Sequence, residues 1–120
     1  MTTDLPRLVR CAFFNGRIRP GMEDAFHRHV DERMVPLWTR FPAVRDVRVL
    51  RQHQSDVADP ALPLVLVMHF DSHEDIAAAL ASPVRRESQQ ASRALLEMFE
   101  GAVFHTVFDA RVFALSSNAT

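Results

Sequence analysis

The sequence predicts a small α+β domain built in the order β-α-β-β-α-β, and three observations carry that expectation. Its 120 residues are 48% hydrophobic and 24% charged, the profile of one globular unit around one core. Two regions repeat apolar residues every three to four positions, as helices do, and four others are short apolar or alternating runs bounded by turn residues, as strands are. No linker, internal repeat or low-complexity stretch divides the chain, so a single domain over residues 1–120 is expected, with a disordered tail at 116–120.

The first strand is expected over Leu8 to Phe14, a run of Val, Cys and Phe with Arg10 as its one charge and Asn15-Gly16 at its end. After the Pro20-Gly21 turn, Met22, Phe26, Val30, Met34, Leu37 and Phe41 mark the buried stripe of an amphipathic helix that opens on acidic Glu23 and Asp24. Pro36 lacks a backbone N–H and is expected to bend or break that helix after about three turns. Val44 to His53 alternates apolar and charged residues, as an edge strand does, and Gln54 to Pro63 is a loop. Leu64 to Phe70 is almost continuously apolar, which suits a central strand covered on both faces. Ser72 and Asp75 stand at capping-box spacing to open the next helix, and Ser82-Pro83 interrupts it and starts another segment. That segment buries Val84, Ala91, Leu95 and Met98, with Gly101 as its stop, and Ala102 to Phe113 forms the last strand. This order is the split βαβ, or ferredoxin-like, arrangement: a four-stranded antiparallel sheet in the order four, one, three, two, with the helices on one face.

Composition removes several chemistries. Net charge is −1 and the basic residues are scattered, so no nucleic-acid partner is expected. The N-terminus lacks a signal-peptide build and the longest uncharged apolar stretch, Ala61 to Met68, is too short to span a bilayer, so the expectation is a cytoplasmic protein with no membrane contact. All fourteen basic residues are arginine, which excludes Schiff-base lysine chemistry and a phosphate-loop lysine, and tyrosine is absent. Cys11 is the single cysteine, so no intrachain disulfide or multi-cysteine metal site exists, and no metal or cofactor is expected. Acid–base work is left to six histidines and fifteen carboxylates, with arginine to hold anions.

Several short stretches, in order, resemble the EthD-like members of the dimeric α/β-barrel superfamily: Arg19-Pro20-Gly21, Phe26, Pro36-Leu37, Phe41-Pro42, Phe70-Asp71, Ser82-Pro83 and Phe99-Glu100-Gly101. The resemblance spans about Leu8 to Phe113. It implies a homodimer and a small-molecule pocket between sheet and helices, in a superfamily whose enzymes include cofactor-free isomerases, cyclases and oxygenases. Such relatives commonly carry a histidine two residues before the helical proline; this chain has Met34 there, so that residue's role does not transfer.

Among the histidines, His27 and His29 lie about 200° apart around a helix and read as surface residues, and His53 and His73 read as solvated. Arg85-Arg86 opens a helix against its dipole; a bound anion or a solvated face explains the pair. Cys11 reads as a small buried hydrophobe, and Trp38 as core or dimer packing. His69 and His105 stand out as strongly polar side chains inside apolar strand stretches, each either a satisfied structural residue or a functional one. Burying Arg10 under the helices would strand a charge, so Arg10, Ala12 and Phe14 are expected on the opposite sheet face, with Val9, Cys11 and Phe13 inward. Placing Phe104 and Phe108 on the helix side then gives one candidate site on the outer face: His69 and His105 as catalytic acid–base residues, with Arg10, Phe14 and Arg48 as substrate-binding residues.

The reading is a cofactor-free enzyme acting on a small carbonyl-containing or aromatic metabolite. The alternative is a non-catalytic small-molecule-binding or accessory protein of the same fold, and a homodimer through the outer sheet face is expected in either case.

Overall fold

The computed structural model describes residues 7–115; the tail expected at 116–120 lies outside them. Four strands form one antiparallel sheet: β1 (Leu8–Ile18), β2 (Asp46–Arg51), β3 (Leu64–Phe70) and β4 (Phe99–Asp109), in the order β2-β3-β1-β4. The strand order is the expected one, with β1 and β3 central. The first helical region runs as α1 (Glu23–His29), a π-helical turn (Val30–Met34) and α2 (Val35–Trp38); the second comprises α3 (His73–Leu80) and α4 (Pro83–Glu97).

Pro36 does not break the first helical region. The chain instead widens by one residue ahead of it, with the Val35 N–H donating to the Val30 carbonyl across a π turn, and then resumes α geometry at Thr39 N–H to Val35 O. Ser72 caps α3 as expected, its Oγ accepting from Asp75 N at 3.1 Å; Pro83 opens α4 as expected, and Ser82 adds a cap there, its Oγ accepting from Arg85 N at 3.3 Å. Gly101 does not end α4. The helix stops at Glu97, and Gly101 sits within β4 facing Gly16 of β1, which runs on past Asn15-Gly16 to Ile18. β4 accordingly starts and ends earlier than the hydrophobic run suggested.

Alternation along β3 is complete: Leu64, Leu66, Met68 and Phe70 are buried, while Val65, Val67 and His69 are only partly covered. The buried row meets Phe26, Val30, Met34, Trp38, Ile76, Ala79 and Leu95 from the helices, so one face of the sheet carries the core. His29 assists this docking and is not a free surface residue, because its Nε2 donates to the Ala91 carbonyl of α4 at 2.7 Å. No helix among the described residues is long and apolar enough to cross a membrane.

Candidate functional site

Pairing register decides which side chains share a face, because directly opposed residues in an antiparallel ladder point the same way. Arg10 is opposed by Met68 on one side and Val107 on the other, and Ala12 by Leu66 and His105. Leu66 and Met68 belong to the core row, so Arg10, Ala12, Phe14 and His105 all face the helices. His69 is opposed by Val9 and Asp46 and faces away. The expected single site on the outer face is therefore wrong: Arg10, Phe14 and His105 lie on one side of the sheet, His69 and Arg48 on the other. Phe104 and Phe108 are likewise on the outer face, where Phe13 stacks on Phe104 at 5.2 Å and meets Phe108 edge-on at 6.4 Å.

The reason for the error is physical. Burying Arg10 would cost several kcal/mol if the helices sealed it, but they do not. A cleft of about 250 Å³ opens between the β4 side of the sheet and α4, and Arg10 lines it. Its floor is Ala12, Phe14, Leu66, Met68, Val103 and His105 from three strands; Trp38 and Phe41 close one side. From α4 come Arg85, Ser88, Gln89, Ser92 and Leu96. Spacings of three and four put these five on one helical face beside the core stripe. That second, polar stripe was visible in the sequence, and reading only the apolar stripe of α4 left it out.

Each polar group in the cleft has a distinct state. Ser88 Oγ donates to the Arg85 carbonyl at 2.8 Å and Ser92 Oγ to the Ser88 carbonyl at 2.7 Å, which spends both hydroxyl protons on the helix backbone. Arg85 reaches the Leu80 carbonyl at 3.3 Å through Nη1. Arg10 is half-buried, and desolvation followed by the charge of Arg85 lowers its pKa from the usual arginine value. His105 is a diagonal neighbour of Arg10 on the edge strand β4, its ring still open to solvent. Desolvation first, then Arg10 and Arg85, push its pKa down to about 4, so at pH 7 it is a neutral imidazole with a free lone pair.

The outer face holds a separate polar group. His69 Nδ1 donates to Asp46 Oδ1 at 2.5 Å, and Arg48 Nε stands 3.7 Å from the same oxygen. This is a satisfied cross-strand cluster between β2 and β3. Among the described residues, no three His, Cys, Asp or Glu side chains converge as a metal site.

The His105 environment has a consequence for stability. A histidine held below its unfolded value of 6.5 binds fewer protons in the native chain than in the unfolded one between about pH 6.5 and 4, so stability falls as pH drops through that window. Solvent at the open ring screens the effect, and carboxylates titrate nearby in pH. The expected result is thus a difference: melting curves of wild type and His105→Gln, compared from pH 7 to 4, show wild type losing more stability than the variant.

Comparison with known proteins bears on the fold. No family model matches the chain, and no curated protein matches it in sequence. Solved structures do match. An ethyl tert-butyl ether D (EthD) family protein from Bacillus halodurans superposes with a TM-score of 0.72 at 19% identity, covering 88% of this chain and 99% of its own. SnoaB, a cofactor-independent oxygenase from Streptomyces nogalater, gives 0.61 at 20% identity over 91% and 97%. A dimeric protein of ferredoxin-like fold from Bacteroides fragilis gives 0.66 at 14% identity over 90% and 100%. The chain is therefore an α+β protein of ferredoxin-like fold, similar in architecture to the EthD family structure and the cofactor-independent oxygenase.

Proposed function

We propose that the cleft is the catalytic pocket of a cofactor-free enzyme acting on a small carbonyl-containing or aromatic metabolite. His105 is its general base and Arg10 the group that holds the negative charge formed. The observation that carries this reading is the meeting of a neutral histidine and a half-buried arginine in one apolar cleft. The lone pair of His105 takes a proton from a carbon next to a carbonyl, giving imidazolium and an enolate whose oxygen lies against the Arg10 guanidinium. As that charge forms, it offsets the two arginine charges that disfavour imidazolium, so the base strengthens when the proton moves. Where the substrate carries a double bond conjugated with that enolate, returning the proton to the far carbon of the dienolate completes an isomerisation. Attack of the carbanion on dioxygen would begin an oxygenation, the chemistry named for SnoaB.

The test is hydrogen–deuterium exchange into 2-tetralone in D2O, followed by proton NMR. Wild type is expected to accelerate exchange over buffer, and His105→Gln to lose about 100-fold or more of that acceleration. A wild-type rate equal to buffer, or one unchanged in the variant, overturns the catalytic reading. The second reading, a binding or accessory protein, is favoured by one feature: the cleft's lining holds one histidine and no carboxylate, cysteine or tyrosine, so a reaction needing separate acid and base has no second proton carrier.

We also infer that the outer sheet face takes a second copy of the chain. Phe104 and Phe108 are each nearly half exposed there, beside Val65 and Val67, and the fold neighbour from Bacteroides fragilis is described as dimeric. His69, Asp46 and Arg48 then belong to this interface and not to the reaction. Light scattering at micromolar concentration is expected to give twice the 13.6 kDa chain mass; a monomer mass removes the inference.

A further inference from the structure

Arg10 and Arg85 enter the same cleft from opposite layers, one from the central strand β1 and one from the first turn of α4. Among the described residues, no carboxylate lies within 4 Å of either; five other arginines, Arg17, Arg19, Arg40, Arg45 and Arg48, have one, and what separates Arg10 and Arg85 from the remaining seven is that they line one cleft together. Acidic residues are not scarce, since the chain has fifteen of them against fourteen arginines. Carboxylates are simply missing where two cations converge. The cleft's lining holds no Asp or Glu at all, and its one histidine is neutral at pH 7. Two like charges in a partly desolvated cleft repel one another, and a bound anion relieves that repulsion.

The rest of the lining selects the kind of anion. Ser88 and Ser92 have given their hydroxyl protons to backbone carbonyls, so neither hydroxyl presents a donor to a multiply charged oxyanion. The amide of Arg85 is occupied by the Ser82 cap. What remains is two guanidiniums as the cleft's charged groups, with the neutral Gln89 and His105, on an apolar surface that includes Phe14, Trp38, Leu66 and Val103. A guanidinium fork matches the two oxygens of a carboxylate, and the apolar walls match a ring or alkyl body.

We propose that the cleft binds a small organic monocarboxylate, its carboxylate on Arg85 and its apolar body along Trp38, which leaves Arg10 for the reacting oxygen. This rests on the cleft being the ligand site, but it concerns binding and does not require that His105 turn the ligand over. It also decides between the two sequence-level explanations of Arg85-Arg86: Arg85 is an anion ligand, and exposed Arg86 is a solvated neighbour.

Trp38 is the only tryptophan, tyrosine is absent, and the indole lines the cleft, so its fluorescence excited at 295 nm reports occupancy directly. Titrations with cyclohexanecarboxylate, its neutral amide cyclohexanecarboxamide, and inorganic phosphate separate the contributions of charge and body. The carboxylate is expected to change the signal saturably, with the amide and phosphate at least tenfold weaker. Arg85→Gln is expected to lower carboxylate affinity at least tenfold, and Arg85→Lys to retain part of it. Equal binding of carboxylate and amide, unchanged affinity in Arg85→Gln, or no saturable response to the carboxylate at millimolar concentration would each overturn the proposal. His105→Gln distinguishes the two readings: it should bind the carboxylate as wild type does while failing in 2-tetralone exchange. Loss of exchange with binding intact concerns the base alone, and loss of binding with exchange intact concerns the anion site alone.

Discussion

Replacing Gly101 with alanine is expected to lower the melting temperature by about 10 °C or more, and a wild-type melting curve for this variant would show that the strand crossing is misdescribed. Gly101 and Gly16 face one another across β1 and β4, with φ of +149° and +152°, a region that side chains rarely adopt. A methyl group on Gly101 would overlap the Asn15 carbonyl oxygen and lie 2.8 Å from the Gly16 Cα. Neither obstacle is a flexible side chain. Backbone strain of about 1–3 kcal/mol therefore adds to overpacking of about 1–3 kcal/mol, a large share of a net stability of about 5–15 kcal/mol. The same crossing sets the register that brings His105 opposite Ala12, so a variant that survives by shifting β4 should lose 2-tetralone exchange as well as stability.

Phe26→Ala is expected to destabilise the fold by about 3–5 kcal/mol, read as a fall of about 2 M in the urea midpoint with an unchanged slope. The ring is fully buried in α1, 6.2 Å from the Phe14 ring and 6.1 Å from that of Phe99, with centroid geometry typical of packed aromatics. It is the point where the first helical region grips both β1 and the start of β4. Removing it also leaves the inner side of Phe14 unsupported while that side chain lines the cleft. A midpoint shift below about 0.5 M would contradict this account of the core.

Strand order, helix starts and the core row of β3 were all legible in the sequence, because each depends on a local signal: Ser72 ahead of one helix and Pro83 opening another, Leu64 to Phe70 as a covered strand. The candidate site was half legible. His105, Arg10 and Phe14 were singled out and do come together, but on the helix side of the sheet and without His69 or Arg48. Strand β4 is apolar on both faces, Val103 and Val107 against Phe104 and Phe108, so alternation alone carries no information about which face turns inward. Strand β1 was assigned by charge, and that argument holds only where burial means sealing. Here the packing of α4 leaves a channel to solvent over Arg10, a tertiary fact that no window of β1 contains.

The π turn at Val30–Met34 links the length of this chain to the shape of its cleft. A π turn is one residue of surplus chain absorbed into a helix, and each helical residue carries about 100° of rotation. Removing a single exposed residue from it, Asp31 or Glu32, would restore continuous α geometry and leave the residues on either side in their present phase. Rewinding the same residues as α-helix without a deletion would instead turn everything downstream by roughly 100° and swing Trp38 and Phe41 off the cleft. The wall of the site thus depends on a residue count as much as on residue identity: at this length of chain, the π turn is what keeps Trp38 and Phe41 facing the cleft.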